Sequence, residues 1–120
     1  MAARKTRREA LLEFALTLPG AFEDHPWGET VVKVRKKIFV FLGEDGSPEP
    51  KFAVKLDESH EEALAVDGAA PSGYGLGKAG WVNVPLKGRS PSIGVLQDWV
   101  EESYRKVAPK TLVRELDGDV

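Results

Sequence analysis

The strongest chemical signal in this 120-residue chain is a short basic run. Between Val31 and Gly43 stand Lys33, Arg35, Lys36 and Lys37, with no acidic residue among them. Cations clustered on so short a segment suit contact with a phosphate backbone, which proteins hold mainly through Lys and Arg. Lys55 and Lys78 would extend the same patch. A commoner role for such lysines is to keep an exposed sheet edge from pairing with other chains. The whole chain opposes a generally basic binder. Its 17 Lys and Arg stand against 19 Asp and Glu, a formal net charge of −2. A net-acidic surface repels phosphate unless its charges are segregated.

A second candidate is the glycine-rich stretch Gly73-Tyr74-Gly75-Leu76-Gly77-Lys78-Ala79-Gly80, followed by Trp81. Gly75, Gly77 and Gly80 formally satisfy G-x-G-x-x-G. That pattern cradles a pyrophosphate only where a strand precedes it and a helix follows, and here the order is reversed. It is not a P-loop either, because Ala79 stands where Ser or Thr would meet magnesium. What remains is a loop lying over the sheet. Lys78 and free backbone N–H groups would give it a weak anion site. As a mobile lid, Tyr74, Gly75, Gly77 and Trp81 would close over a small anionic ligand or a protein partner. Its mark would be an apolar pocket bordered by Lys55, Lys78 and Trp81.

Catalytic and metal chemistry find less support. With no cysteine there is no disulfide, thiolate nucleophile or Cys-ligated metal. His60, Glu61 and Glu62 are adjacent on a helical segment, so they diverge instead of meeting at one ion. His25 sits beside Glu23, Asp24 and Glu29, a setting for a general base. The ordinary alternative is that His25-Pro26-Trp27-Gly28 pins a loop, with Trp27 as its buried anchor. Trp81 and Trp99 read as core as well. No serine has a nucleophile-elbow context, and Ser103 falls mid-helix. The expectation is a binding protein and not an enzyme, with no cofactor and no metal.

The elements that position these residues follow from periodicity. Residues 6–18 read as a helix capped by Thr6, with Glu9 completing a capping box and Leu11, Phe14, Ala15 and Leu18 on one face. Pro19-Gly20 ends it. Residues 21–29 read as irregular. Thr30–Val34, Ile38–Leu42 and Phe52–Leu56 read as strands, joined by turns at 35–37 and 43–48. Phe52, Val54 and Leu56 share one face. A helix over 58–66, capped by Asp57, leads into the glycine-rich loop. Trp81–Leu86 reads as a strand that places Pro85 near its end or at a sheet edge. Lys87-Gly88-Arg89 reads as a turn. A long helix then starts at Ser90-Pro91 and buries Ile93, Leu96, Trp99, Val100, Tyr104 and Val107. Pro109 breaks it, and 110–116 is a last short helix. The order α-βββ-α-β-α-α implies an α+β two-layer sandwich, a mainly antiparallel sheet with helices on one face. All of 1–120 fits one domain.

Several of these residues together resemble the MmcQ/YjbR family of small bacterial proteins. They are His25-Pro26-Trp27-Gly28, Val32-Lys33-Val34, Lys37-Ile38-Phe39, Val54-Lys55-Leu56-Asp57, Gly80-Trp81-Val82 and Ser103-Tyr104. The resemblance runs from about Leu11 to about Leu116 and rests on order and spacing instead of one motif. It implies a CyaY-like fold and a double-wing mode of DNA binding, and it carries over no catalytic residue. Three positions depart from the family pattern. Lys36 stands where the first hairpin turn usually has glycine. Tyr74-Gly75-Leu76 lacks the histidine often found before the strand tryptophan. The first helix opens with Arg4, Lys5, Arg7 and Arg8, which does not support the iron binding of frataxin-like relatives.

The partners expected are therefore DNA, or a small anionic ligand or protein, for a monomer or weak dimer. No apolar run approaches the roughly 20 residues that span a bilayer. Glu9 and Glu13 interrupt the segment after the basic tip, unlike a signal peptide. The expected location is the cytoplasm.

Overall fold

The computed structural model describes residues 6–73, 75–87 and 90–118. Tyr74, Arg4, Lys5 and the Gly88–Arg89 turn lie outside the described residues. Six strands form one antiparallel sheet: β1 Ala21–Asp24, β2 Thr30–Val34, β3 Lys37–Gly43, β4 Lys51–Lys55, β5 Ala70–Pro71 and β6 Trp81–Pro85. Their order across the sheet is β1-β2-β3-β4-β6-β5. Four helices accompany it: α1 Arg7–Leu16, α2 His60–Leu64, α3 Ile93–Val107 and α4 Lys110–Leu116. The α+β class holds, and the full order is α-ββββ-α-ββ-α-α.

The two added strands have physical reasons for hiding in the sequence. In β1 only Ala21 and Phe22 are apolar, and Phe22 faces away from the helices, 43% exposed. In β5 there are two residues, one of them a proline. Both lie at sheet edges, where pairing on one side needs little apolar material.

Val32, Val40, Val54 and Val82 pair side by side across four strands and form the centre of the core. Strand β3 departs from strict alternation. Its register with β2 shifts twice, leaving Phe39 and Leu42 as extra residues. Each bulge turns a further side chain inward, so Phe39, Val40 and Leu42 all join one core. On its other side β3 pairs with β4 only through Val40–Val54 and Phe41–Ala53, which leaves the next backbone groups, at Phe39 and Lys55, outside the ladder. Ser103 on α3 serves them: its hydroxyl donates to the Phe39 carbonyl and accepts from the Lys55 N–H.

The residues flanking Ser103 do similar work. Tyr104 donates its hydroxyl to the Pro19 carbonyl at 2.6 Å and sets its ring edge-on to Phe39, with centroids 5.3 Å apart. Burial raises the Tyr104 phenol above its usual value. Glu102 accepts from the Asp57 N–H, the Ser59 N–H and the Ser59 hydroxyl. It thereby caps α2 from another helix. The expected cap, Asp57, is instead paired with Lys106, and α2 is shorter than the expected 58–66. At the other end of the chain Thr6 caps α1, with the Glu9 N–H donating to its hydroxyl at 3.1 Å, while the Glu9 carboxylate accepts from that hydroxyl at 3.2 Å in place of the reciprocal backbone bond of a capping box. Helix α3 begins at Ile93, two residues beyond Pro91.

Candidate nucleic-acid interface

The basic run folds as a two-residue turn, Arg35-Lys36, between β2 and β3. The left-handed residue is Arg35, with φ 59°, and not Lys36. A long side chain tolerates this conformation at some cost, of the order of 1 kcal/mol or more. Arg35, Lys36 and Lys37 are all exposed. Among the described residues none of the three is in an ion pair.

The turn does not stand alone. It faces the corner between α3 and α4, and together they enclose a groove of about 720 Å³. Its lining is Val34, Arg35, Lys36, Lys37, Lys106, Val107, Ala108, Pro109 and Lys110, which includes no acid. Lys106 and Lys110 were absent from the sequence-based candidates. Their neighbour Pro109 marked only a helix break, and no local signal tied that break to a hairpin more than 70 positions earlier. The five cations differ in availability. Lys106 is held by Asp57 at 2.6 Å, which raises the ammonium pKa and lowers that of the carboxyl. Arg35, Lys36, Lys37 and Lys110 carry no such partner among the described residues.

The other proposed cations lie apart. Lys33 points to the face away from the helices and pairs with Asp24 at 2.7 Å, which holds that carboxyl below its usual value. Lys55 is half-buried on β4, opposite Trp81 in the register. Lys78 lies in a cleft with Asp57, His60 and Gly80, not at the hairpin. The groove is therefore built from Arg35, Lys36 and Lys37 of the sequence-based set, with Lys106 and Lys110 added.

The glycine-rich loop is tied to the sheet it covers. The Ser72 N–H donates to the Trp81 carbonyl, the Gly77 N–H to the Ser72 carbonyl, and the Leu56 N–H to the Gly80 carbonyl. Gly80 has φ 100°, and a Cβ there would stand 2.6 Å from the Leu56 oxygen. A side chain at 80 does not fit this backbone. Beneath the loop is a pocket of about 230 Å³, lined by Phe41, Ala53, Leu76, Ser72 and Asn83 with Glu29 and Lys51 also on its wall. Gly73 reaches it, but Gly75, Gly77, Lys55, Lys78 and Trp81 do not line it. Trp81 instead supports the floor, edge-on to Phe41 at 5.2 Å.

His25 does meet a carboxylate. Its Nε2 is 2.7 Å from Glu23, with both side chains well exposed. The Thr30 hydroxyl accepts from Arg8 at 2.6 Å and also lies 3.5 Å from His25 Nδ1. Trp27 overturns its expectation: it is 95% exposed, not a buried anchor. Trp81 and Trp99 are buried as read. Among the described residues no cluster of three or more His, Cys, Asp or Glu is placed to hold a metal ion. Among the described residues no helix is long and apolar enough to cross a membrane.

An antiparallel sheet with helices packed on one face, and a hairpin turn facing a helical corner, places the chain in the α+β class. The YjbR family profile matches residues 16–106. The chain belongs to the YjbR family, and the match spans the hairpin, the glycine-rich loop and all of α3 but its last residue. Compared with the curated proteins, the chain finds no match.

Proposed function

We propose that this protein is a DNA-contacting module that grips the phosphate backbone in the groove between the β2–β3 hairpin and the α3–α4 corner. It acts by binding and carries out no chemistry on its partner. One observation carries the reading: five cations and no acid line a single groove on a chain of net charge −2. Such segregation is what a net-acidic protein needs to approach phosphate. The hairpin is the wing that runs along the backbone, and the apolar strip of Val34, Val107 and Ala108 seats sugar and lysine stems.

Phosphate contact has a signature in salt. If Arg35, Lys36, Lys37 and Lys110 each neutralise one phosphate, log K falls against log salt with a slope of about −3.6. Raising salt from about 50 to about 200 mM then weakens binding about 150-fold. Fluorescence anisotropy with a labelled duplex measures this. Lys36→Glu with Lys37→Glu reduces the slope by about 2 and abolishes retention at moderate salt. Absence of binding by the wild-type chain at low salt sinks the proposal.

A further inference from the structure

The turn between β1 and β2 carries a feature with no role inside the molecule. Trp27 is 95% exposed and sits at φ 53° in the turn Pro26–Gly28, followed by Gly28 at φ 77°. Tryptophan is usually well buried, and a non-glycine residue rarely adopts that backbone. Two successive left-handed residues thus hold a large aromatic ring out in solvent. Beside it opens the pocket under the glycine-rich loop: Glu29, two residues after Trp27, is on its wall.

We propose that Trp27 of one molecule seats in this pocket of a second copy, and that the exchange is reciprocal about a two-fold axis. Three observations name that occupant. The pocket is small, about 230 Å³, below the roughly 300–1,000 Å³ that enclose a drug-sized ligand. It accepts one side chain, and its lining of Phe41, Ala53 and Leu76 offers an aromatic ring apolar contact. Protrusion and pocket are linked through Glu29, two residues from one and on the wall of the other, as an isologous interface that pairs them requires.

Charge agrees with the exchange. Glu29 and Lys51 both stand at the pocket, and neither has an ion-pair partner among the described residues. When Trp27 enters the partner's pocket, Glu29 travels with it toward the partner's Lys51. The axis makes that pair twice.

The interface is modest. Each inserted aromatic side chain buries about 150–250 Å², so two rings and their pocket walls stay near or below the roughly 1,200 Å² of weak, transient contacts. The dimer is therefore concentration-dependent, with a dissociation constant on the order of 10 μM. It does not rest on DNA binding, because the basic groove lies at the opposite end of strands β2 and β3.

Sedimentation equilibrium of the full chain from about 1 μM to about 1 mM tests the proposal. The wild type passes from monomer to dimer, and its tryptophan emission shifts to the blue as Trp27 leaves water. Trp27→Ala, which removes no internal contact, stays monomeric with an unaltered circular dichroism spectrum. Lys51→Glu weakens the dimer at least about tenfold, and adding Glu29→Lys restores it. A wild type that is monomeric throughout overturns the proposal, as does a Trp27→Ala variant that dimerises normally. So does free indole occupying the pocket of a chain that never dimerises, which would make it a small-molecule site.

Discussion

Replacing Ser103 with alanine removes one oxygen and takes the partner from a buried carbonyl and a part-buried N–H. Ser103 is fully buried, and its hydroxyl serves the Phe39 carbonyl on β3 and the Lys55 N–H on β4. The β3–β4 pairing runs only through Val40–Val54 and Phe41–Ala53, so these two groups do not meet in the ladder. An orphaned buried group costs about 1–3 kcal/mol. Two such groups give about 2–6 kcal/mol, and a water drawn into the gap recovers part of it. The expected destabilisation is therefore about 2–4 kcal/mol. Urea unfolding measures it as a lower midpoint at constant m-value. Amide exchange supplies the specific mark: the Lys55 amide loses protection beyond the global change, while amides of α1 follow the global change. A loss below about 0.5 kcal/mol, within the range of an inert surface substitution, would refute the idea that Ser103 bridges β3 and β4.

Gly80→Ala forces a Cβ to within 2.6 Å of the Leu56 oxygen at a φ of 100°. It lowers stability by about 2–4 kcal/mol and moves the Leu56 and Trp81 amide resonances, whereas Gly28→Ala, with nothing within 4 Å, brings only the cost of its left-handed backbone. Acid weakens the fold through the exposed carboxyls of Asp24, Asp57 and Asp117, each lowered chiefly by a hydrogen bond from Lys33, Lys106 and Arg105 respectively. Lowered folded-state values mean that this stability is present above the unfolded carboxyl value of about 4. It is lost as pH falls through the lowered values, and a thermal midpoint that rises on acidification from pH 5 to 3 would contradict that sign.

Most of the helix-facing layer was legible in the sequence, and the opposite face was not. Thr6 and Glu9, the alternation of Phe52, Val54 and Leu56, and the stripe on α3 each carry a local signal whose period survives folding. The bulges at Phe39 and Leu42 carry none, because a bulge is a relation between two strands and leaves the composition of either unchanged. Trp27 failed for a related reason. Its burial was inferred from residue type, but the backbone set by Pro26 and Gly28 decides where the ring points. The candidate groove was half visible. Arg35, Lys36 and Lys37 are contiguous, while Lys106 and Lys110 join them only through the turn of α3 into α4.

That second half of the groove also decides how much charge it can offer. Lys106 lines the groove but also a cleft with five acids, Asp57, Glu58, Asp98, Glu101 and Glu102, and one further cation, Arg105. The boundary between basic and acidic surface thus passes through one side chain, and Asp57 holds it. An approaching phosphate must compete with that carboxylate for Lys106, but meets Arg35, Lys36, Lys37 and Lys110 without such competition. In the proposed binding mode the acids behind Lys106 repel phosphate within a Debye length of about 8–10 Å, which would steer a nucleic acid toward the hairpin side and away from α2. The same neighbour that limits affinity fixes the direction from which a polyanion can enter.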